Sequence, residues 1–386
     1  MSAPYVYADN AATTRLCPEA LDAMMPFLTK SYGNPSSLHR MAAEPREALR
    51  RARETVAGIL HAEPDEIVFT SGGTESDNIA VQGAATADPA RKRIITTGIE
   101  HPAVLRTARR LEAEGCPLSI LPVDGSGRVD PESLRRAITP DTALVSVMTA
   151  NNEVGTIEPI DALGAICREA GVTFHTDAVQ AVGHIPLDVS RMNVDLLSAS
   201  AHKFNGPRGV GFLYVRRGSR VRRLMEGGGQ EYGWRSGTEN VAGAVGLAAA
   251  LRAADQRMRS DMRTLALDRD ELFWHLLNIP GVRATGSRTN RLPGHVSVAV
   301  RGVSGESLAL LLDLKGFAVS AGSACASGKT EPSHVLTAMG IDREDALGAL
   351  RITFGRYNQI SDVSRIGIAV AEAVETLRKM NGEIEK

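Results

Sequence analysis

The chain has 386 residues, of which 43% are hydrophobic and 23% are charged, and its formal net charge is −1. This length supports a large hydrophobic core and more than one domain, and the composition is that of a globular protein. The nearly balanced charge gives no general attraction to nucleic acid or to anionic lipid, so we expect neither as a partner.

The cysteine spacing and the N-terminal residues indicate the cellular compartment in which the protein is expected. The four cysteines lack paired spacing, which favours a reducing compartment, and no His/Cys cluster has the spacing of a metal site. The first ten residues lack the basic and apolar regions of a signal peptide, and the most apolar stretch, 241–251, is too short to span a bilayer. We therefore expect a cytoplasmic protein without a membrane segment or a metal.

Helix and strand patterns alternate along the first two thirds of the chain. Apolar residues at helical spacing predict a helix that ends near Leu60, and further helices are predicted at 103–115, 161–171 and 240–260. Short apolar runs predict strands at Ile67–Phe69, Arg93–Thr97, Leu144–Met148, Val172–Phe174, Val194–Leu197 and Val210–Val215. Near-continuous apolar strands separated by helices indicate an α/β fold with a mostly parallel sheet covered on both faces.

The pattern changes near residue 258, where a long charged amphipathic helix is predicted to begin. The elements predicted after it are a strand at His295–Val300, a helix at Glu306–Lys315, strands at Phe317–Ala321 and Leu350–Phe354, and a last helix from about Ser361. We therefore predict a large domain at 15–257 and a smaller α+β domain formed by 1–14 and 258–386.

Three polar features follow predicted strands, at the sheet edge where ligands of parallel sheets bind. Lys203 lies between a strand and a Gly/Pro turn, where an amine can be held half-desolvated and form a Schiff base. Asp177 ends another strand and suits a pyridinium nitrogen, although it could equally cap a helix. The segment Thr70–Asn78 opens a helix with two glycines and suits a phosphate, although an ordinary capped turn looks similar. A lysine, an acid and a phosphate site together are what pyridoxal phosphate requires.

Other candidate residues are less specific taken singly. His101 follows a strand and could stack on a cofactor and move protons, although a lone histidine is more often structural. Asn152 follows the next strand and could bind an oxygen of a ligand. Cys325 lies among small residues in 320–328, a setting that favours a nucleophilic thiol over a core cysteine. The segment 322–330 resembles a phosphate-binding P-loop, but five residues separate its glycines, so nucleotide binding is not expected.

Taken together, these segments resemble the cysteine desulfurases of the NifS/IscS class, pyridoxal phosphate enzymes of the aminotransferase fold (fold type I, class V). The resemblance covers residues 7–356, with Ala201 at a position where the family commonly has glycine. It is carried by the motifs at 9–14, 33–37, 70–78, 100–102, 151–153, 175–180, 200–203, 235–238 and 323–325.

The resemblance implies a role for each matching position. Lys203 would bind the cofactor and move the substrate Cα proton, His101 would stack on the ring, and Cys325 would take the sulfur of L-cysteine as a persulfide. Arg351 and Asn152 would bind the substrate, and alanine would leave. The residues implied to hold pyridoxal 5′-phosphate are Gly73, Thr74, His101, Asn152, Asp177, Gln180, Ser200, His202, Lys203 and, from the neighbouring subunit of a homodimer, Thr238.

Two other readings stay open at this point. A selenocysteine lyase or another β-eliminating enzyme would keep the cofactor site without needing Cys325, and a catalytically idle docking subunit would lack the cofactor. The sulfur acceptor, an iron–sulfur scaffold or a sulfur carrier, is not specified by the sequence, nor is the pathway among nitrogenase maturation, general cluster assembly and tRNA thiolation.

Overall fold

The computed structural model describes residues 5–322 and 331–382. In chain order, its strands are β1 (Val6–Tyr7), β2 (Ile67–Thr70), β3 (Arg93–Thr97), β4 (Leu118–Leu121), β5 (Thr142–Ser146), β6 (Thr173–Asp177), β7 (Leu196–Ser200), β8 (Gly211–Val215), β9 (Val282–Ala284), β10 (His295–Val300), β11 (Phe317–Ala318), β12 (Ser320–Ala321) and β13 (Ala349–Thr353). Its α-helices are α1 (Pro18–Thr29), α2 (Ala43–Leu60), α3 (Gly73–Ala85), α4 (Pro102–Ala113), α5 (Pro131–Ala137), α6 (Ile160–Ala170), α7 (Val241–Leu277), α8 (Gly305–Leu314), α9 (His334–Ala338), α10 (Arg343–Leu347) and α11 (Ile360–Met380).

The larger sheet has seven strands in the order β2-β8-β7-β6-β5-β3-β4. Strands β7, β6, β5, β3 and β4 are parallel, whereas β8 is antiparallel to both of its neighbours. The middle strands are buried along their whole length because helices cover both faces, which explains their continuous apolar runs. The predicted mostly parallel sheet is confirmed, while the edge strand β4 was not predicted.

The smaller sheet is antiparallel, with the order β12-β13-β10-β9. The sequence predicts one strand over 317–321, but this segment divides between two sheets. Phe317 and Ala318 form β11 and pair with β1 in parallel, and Ser320 and Ala321 form β12 and pair with β13. The N-terminal residues Val6 and Tyr7 thus join the C-terminal part of the chain.

Hydrophobic clusters surround these sheets, and the two largest among the described residues divide between them. One extends from Cys17 to Leu251 and packs on the larger sheet, and another combines Val6 and Ala8 with residues from Leu272 to Val374. Helix α7 is continuous through residue 258, where the sequence predicts one helix to end and another to begin. Its first half packs against the larger sheet's core and its last turns against the smaller one. The domain boundaries at 14/15 and 257/258 stay a prediction. Among the described residues, no helix is both long and apolar enough to cross a membrane.

A buried ion pair anchors the turn at Glu231–Gly233. Arg53 on α2 donates from Nη1 and Nη2 to the two carboxylate oxygens of Glu231, at 2.8 and 2.7 Å. The Glu231 carboxylate also accepts the backbone N–H of Phe69 at 2.8 Å. Glu231 and Tyr232 have φ values of +49° and +56°, in the left-handed region that residues with side chains rarely adopt. The ion pair therefore holds a strained turn in place.

We expect the substitution Glu231→Gln to lower the free energy of unfolding by about 3 kcal/mol, because it leaves the Arg53 guanidinium buried without a counter-charge. Equilibrium urea denaturation measures this change. The matched control is Glu47→Gln, which removes an exposed partner of Arg50 and Arg51 and should leave the unfolding midpoint unchanged. Equal midpoints for the two variants would contradict the anchoring role.

Candidate active site

A cavity of about 540 Å³ lies at the carboxyl edge of the larger sheet. Strands β3, β5, β6 and β7 are parallel, so the segments that follow them meet at this one edge. Ten of the predicted site residues line the cavity, namely Gly73, Thr74, His101, Asn152, Asp177, Gln180, Ser200, His202, Lys203 and Arg351. Thr238 is exposed and is not part of the lining that the described residues form, and Cys325 lies outside the described residues.

Two glycines shape the connection between β2 and α3. Gly72 has a φ of +151°, which a residue with a side chain rarely adopts. A Cβ at Gly73 would lie 2.5 Å from Val179 Cγ2, so a larger residue there would collide with the segment after β6. No side chain of the described residues caps α3 at Gly72, and the first N–H groups of the helix and its dipole suit an anion. Thr74 and Ser200 add hydroxyl groups beside this turn.

His202 and Gln180 both contact the N-terminal segment. His202 Nδ1 lies 3.1 Å from Thr13 Oγ1, and Gln180 Nε2 donates to the carbonyl oxygen of Ala11 at 3.0 Å. Burial lowers the pKa of His202 to about 4, with the Lys203 charge acting in the same direction. His202 is therefore a neutral hydrogen-bonding group at pH 7.

Lys203 ends the short turn Ala201–Lys203 that follows β7. Its Nζ donates to the carbonyl oxygens of Ala11 and Ala12, at 2.6 and 2.9 Å. Burial lowers the pKa of Lys203 to about 8, and the nearby charge of Arg351 acts in the same direction. A substantial share of the amine is thus neutral near pH 8, which a nucleophilic amine requires.

Asp177 is the last residue of β6 and is buried. Its Oδ1 accepts the backbone N–H of Val179 at 2.9 Å, but a turn and not a helix follows β6, so the helix N-cap considered from the sequence is not formed among the described residues. The same carboxyl also lines the cavity. Burial raises the pKa of Asp177, which the charges of His101 and Lys203 partly oppose. A buried acid in this position favours a protonated nitrogen as its partner.

His101 is fixed at the start of α4. Its Nδ1 accepts the backbone N–H of Ala103 at 3.1 Å, which assigns the ring proton of the neutral form to Nε2. Burial lowers the pKa of His101, while the charge of Asp177 opposes the shift. The His101 side chain lines the cavity.

Arg351 reaches the cavity from β13 of the smaller sheet. Its Nη1 donates to the carbonyl oxygen of Asn152 and its Nη2 to Asp9 Oδ1, both at 2.8 Å. Its Nε is buried and has no hydrogen-bond partner among the described residues. An unpaired buried N–H is costly, and a ligand carboxylate would satisfy it. Asn152 contacts Arg351 through its backbone, an interaction that residue type does not reveal.

The sequence interpretation missed part of this lining. The carbonyl oxygens of Ala11 and Ala12 accept hydrogen bonds from Lys203. Every residue has a backbone carbonyl, so the residue types in the sequence do not indicate these contacts. Asp77 also lines the cavity from α3 and is 1% exposed. Its position four residues after Gly73, on the buried face of the helix, is a signal that was available. The resemblance assigns no site role to the motif at 9–14, to which Ala11 and Ala12 belong.

The sequence profile of the family described as aminotransferase class-V matches residues 6–366. The chain belongs to this family. A protein named cysteine desulfurase IscS from Methanosarcina thermophila is 49% identical over 377 residues, covering 97% of this chain and 93% of that protein. One with the same name from Clostridium botulinum (strain Hall) is 47% identical over 380 residues, covering 97% and 96%.

Solved structures agree with these relatives. A protein described as NifS-like superimposes with a TM-score of 0.91 at 40% identity, covering 96% of this chain and 100% of that chain. A structure described as SspA in complex with cysteine has a TM-score of 0.81 at 35% identity, covering 92% and 99%. The predicted resemblance to cysteine desulfurases and the predicted fold are both confirmed, and this family uses pyridoxal 5′-phosphate.

The groups that line the cavity have the chemistry that this cofactor requires. An uncapped helix start with hydroxyl groups suits the phosphate, and the buried carboxyl of Asp177 suits a protonated ring nitrogen. Lys203 supplies an amine with a lowered pKa in the same cavity. These are the groups that pyridoxal phosphate sites share.

We expect Lys203 in the cofactor-free protein to react with dilute acetic anhydride with a midpoint near pH 8, because burial disfavours its charged form. The variant Arg351→Gln should move this midpoint to higher pH, since it removes a positive charge that lowers the pKa. Peptide mass spectrometry measures the labelling, with the exposed Lys30 as internal reference. The control Arg356→Gln removes an arginine paired with Glu19 outside the cavity and should not move the midpoint. An unshifted midpoint in Arg351→Gln would contradict this electrostatic link.

Proposed function

We propose that the chain is a cysteine desulfurase, which converts L-cysteine to L-alanine and transfers the sulfur to Cys325 as a persulfide. The observation that carries this proposal is the joint lining of one cavity by Lys203, His101, Asp177 and Arg351. The full-length relatives named cysteine desulfurase support the reaction type. We place the enzyme in the cytoplasm, where it would supply sulfur for iron–sulfur clusters or related products.

The proposed cofactor contacts follow from the lining of the cavity. Gly73, Thr74, Ser200 and His202 would hold the phosphate, and Asp177 would pair with the ring nitrogen. Gln180 and Asn152 would face the phenolate side, and His101 would stack on the ring. When bound, pyridoxal phosphate supplies an electron sink for the substrate carbon.

Lys203 is the proposed proton carrier, and His101 would assist it. A lysine that is partly neutral near pH 8 would hold the cofactor through Nζ, and a neutral Nζ can also take the substrate Cα proton. His101 holds its proton on Nε2 because the N–H of Ala103 occupies Nδ1. Because its lowered pKa keeps His101 neutral, the ring would keep this proton and assist the acid–base steps by donating a hydrogen bond from Nε2.

Arg351 would bind the substrate carboxylate. Its two terminal nitrogens are already oriented by Asp9 and by the carbonyl of Asn152, and its buried Nε has no hydrogen-bond partner in the described part of the chain. A carboxylate at this guanidinium would be held by charge-assisted hydrogen bonds in a fixed orientation. The substrate would thereby be held at one end, with its thiol left free for the sulfur transfer proposed for Cys325.

The described residues on either side of 323–330 support the role of Cys325. Ser320 pairs with Arg351 across β12 and β13, so the chain leaves the described part beside the proposed carboxylate site. After the gap, the Ser333 hydroxyl donates to the carboxylate of Glu153, directly after Asn152. Both ends of the undescribed segment 323–330 are therefore attached near the cavity.

The proposal includes a homodimer and a protein acceptor. Thr238 is exposed and outside the lining of its own cavity, which suits a residue that completes the phosphate site of a second copy. A protein that accepts the persulfide sulfur, either an iron–sulfur scaffold or a sulfur carrier, is the second expected partner.

The first experiment measures alanine and sulfide released from L-cysteine in the presence of a thiol reductant. We expect equal amounts from the wild type and a loss of both, on the order of 10³-fold, in Cys325→Ala, because the sulfur nucleophile is absent. The control Cys116→Ala alters a buried cysteine away from the cavity and should retain activity. Sulfide release that persists in Cys325→Ala would instead assign the protein to the β-eliminating enzymes.

We expect Arg351→Lys to raise the KM for L-cysteine about tenfold with a smaller change in kcat, because lysine cannot offer the planar fork. Steady-state alanine formation measures both constants. Arg356→Lys is the matched control, since Arg356 pairs with Glu19 outside the cavity. Similar KM values for Arg351→Lys and the wild type would overturn the proposed carboxylate site.

A further inference from the structure

A polar row crosses three parallel strands beneath α3. His175 on β6 lies between Ser146 on β5 and Ser198 on β7, with its Nδ1 2.8 Å from Ser146 Oγ and its Nε2 3.0 Å from Ser198 Oγ. All three side chains are fully buried, and none lines the cavity. Burial lowers the pKa of His175 to about 3, so the ring is neutral. None of these groups has a part in the proposed reaction.

Asp77 connects this row to the cavity. It projects from α3, is 1% exposed, and its Oδ1 lies 3.7 Å from His175 Nε2. This oxygen has no hydrogen-bond partner among the described residues. The hydroxyl of Ser198 contacts the same carboxyl. A buried carboxylate with so few partners is costly in its ionised form, so the site favours the protonated acid.

Asp77 is also close to the acid that faces the cavity. One side-chain atom each of Asp77, His101 and Asp177 lies within 4.8 Å of the other two. The other ionisable groups near Asp77 are the neutral His175 and the buried Glu100. Two buried carboxyls this close ionise as a pair, and the loss of the first proton disfavours the loss of the second.

We propose that Asp77 and Asp177 share one proton, and that Asp77 is a positioning residue which keeps the second carboxyl neutral while Asp177 carries the charge. If Asp177 is neutralised, Asp77 releases its proton and becomes the anion at this end of the cavity. This inference rests on the proposed function, because Asp177 is taken as the partner of the cofactor's ring nitrogen.

The charges around the pair assign the proton to Asp77. Lys203 and His101 favour the ionised form of Asp177, and the N–H of Val179 donates to it. Asp77 lies deeper, where burial raises its pKa well above the usual range and the charge of Asp177 raises it further. Because Asp77 is protonated and neutral, the charged Asp177 is not repelled by a second buried anion.

A double-mutant cycle tests this arrangement with Asp77→Asn, Asp177→Asn and the double variant. The readouts are the Kd of pyridoxal phosphate for the cofactor-free protein, from fluorescence titration, and the visible absorption of the bound cofactor against pH. We expect Asp77→Asn alone to weaken binding by no more than about threefold, since asparagine replaces a neutral acid. In the Asp177→Asn background, the same substitution should weaken binding by at least about tenfold, because no carboxyl remains.

The absorption spectra give an independent readout. Asp177→Asn should show a pH transition of the visible band that is absent from the double variant, because Asp77 is the group that titrates. A purely structural role for Asp77 would reduce stability without adding or removing such a transition. Thermal unfolding of each variant checks folding, and Asp77→Ser replaces Asp77→Asn if that protein is not recovered folded.

An equal loss of affinity from Asp77→Asn in both backgrounds would overturn the proposal, as would the same pH transition in Asp177→Asn and the double variant. These outcomes can be distinguished from failure of the proposed function. If the proposed function were wrong, the wild type itself would bind no pyridoxal phosphate and show no visible band.

Discussion

Desolvation at the carboxyl edge of the larger sheet is the constraint on which the site depends. Parallel strands are covered by helices on both faces, so the groups at their ends face a cavity instead of bulk water. Burial lowers the pKa of Lys203 to about 8 and raises the pKa of Asp177. The same enclosure thus gives a nucleophilic amine and an acid that needs a protonated partner, two properties that neither side chain would have on the surface.

The N-terminal segment connects the two sheets across this cavity. Val6 and Tyr7 pair with the strand at Phe317–Ala318, and Asp9 pairs with Arg351 of the smaller sheet. A few residues later, the carbonyls of Ala11 and Ala12 hold Lys203 of the larger sheet. A single short segment therefore sets the distance between the amine and the guanidinium. Movement of this segment would change both contacts together, so the positions of Lys203 and Arg351 are coupled.

The sequence predicted the parallel strands because each is short, apolar and followed by a helix. It predicted that the candidate side chains meet at one edge because they follow those strands, and ten of them line the same cavity. Strand direction was not readable for β8, since a fully buried strand has the same pattern in either direction. The sequence predicts two helices where the structure has the single helix α7. The apolar pattern changes near 258 because the helix packs first on the core of the larger sheet and then on the core of the smaller sheet, while its backbone continues. Asp77 and His175 were missed as a pair because one lies on a helix and the other on a strand, and only the packing of α3 on β6 brings them together.

The departure from the family pattern at residue 201 has a local structural explanation. Ala201 is fully buried directly before His202, where a methyl group needs space. Gly206 faces it, since a Cβ at Gly206 would lie 2.8 Å from Ala201 Cβ, and the N–H of Gly206 donates to the Ala201 carbonyl at 2.9 Å. The glycine thus leaves room for the extra methyl group while the turn keeps its hydrogen bond. Because the space beside Gly206 accommodates the Ala201 methyl group, Lys203 keeps its position at the end of the turn. Alanine at 201 is therefore compatible with an active lysine.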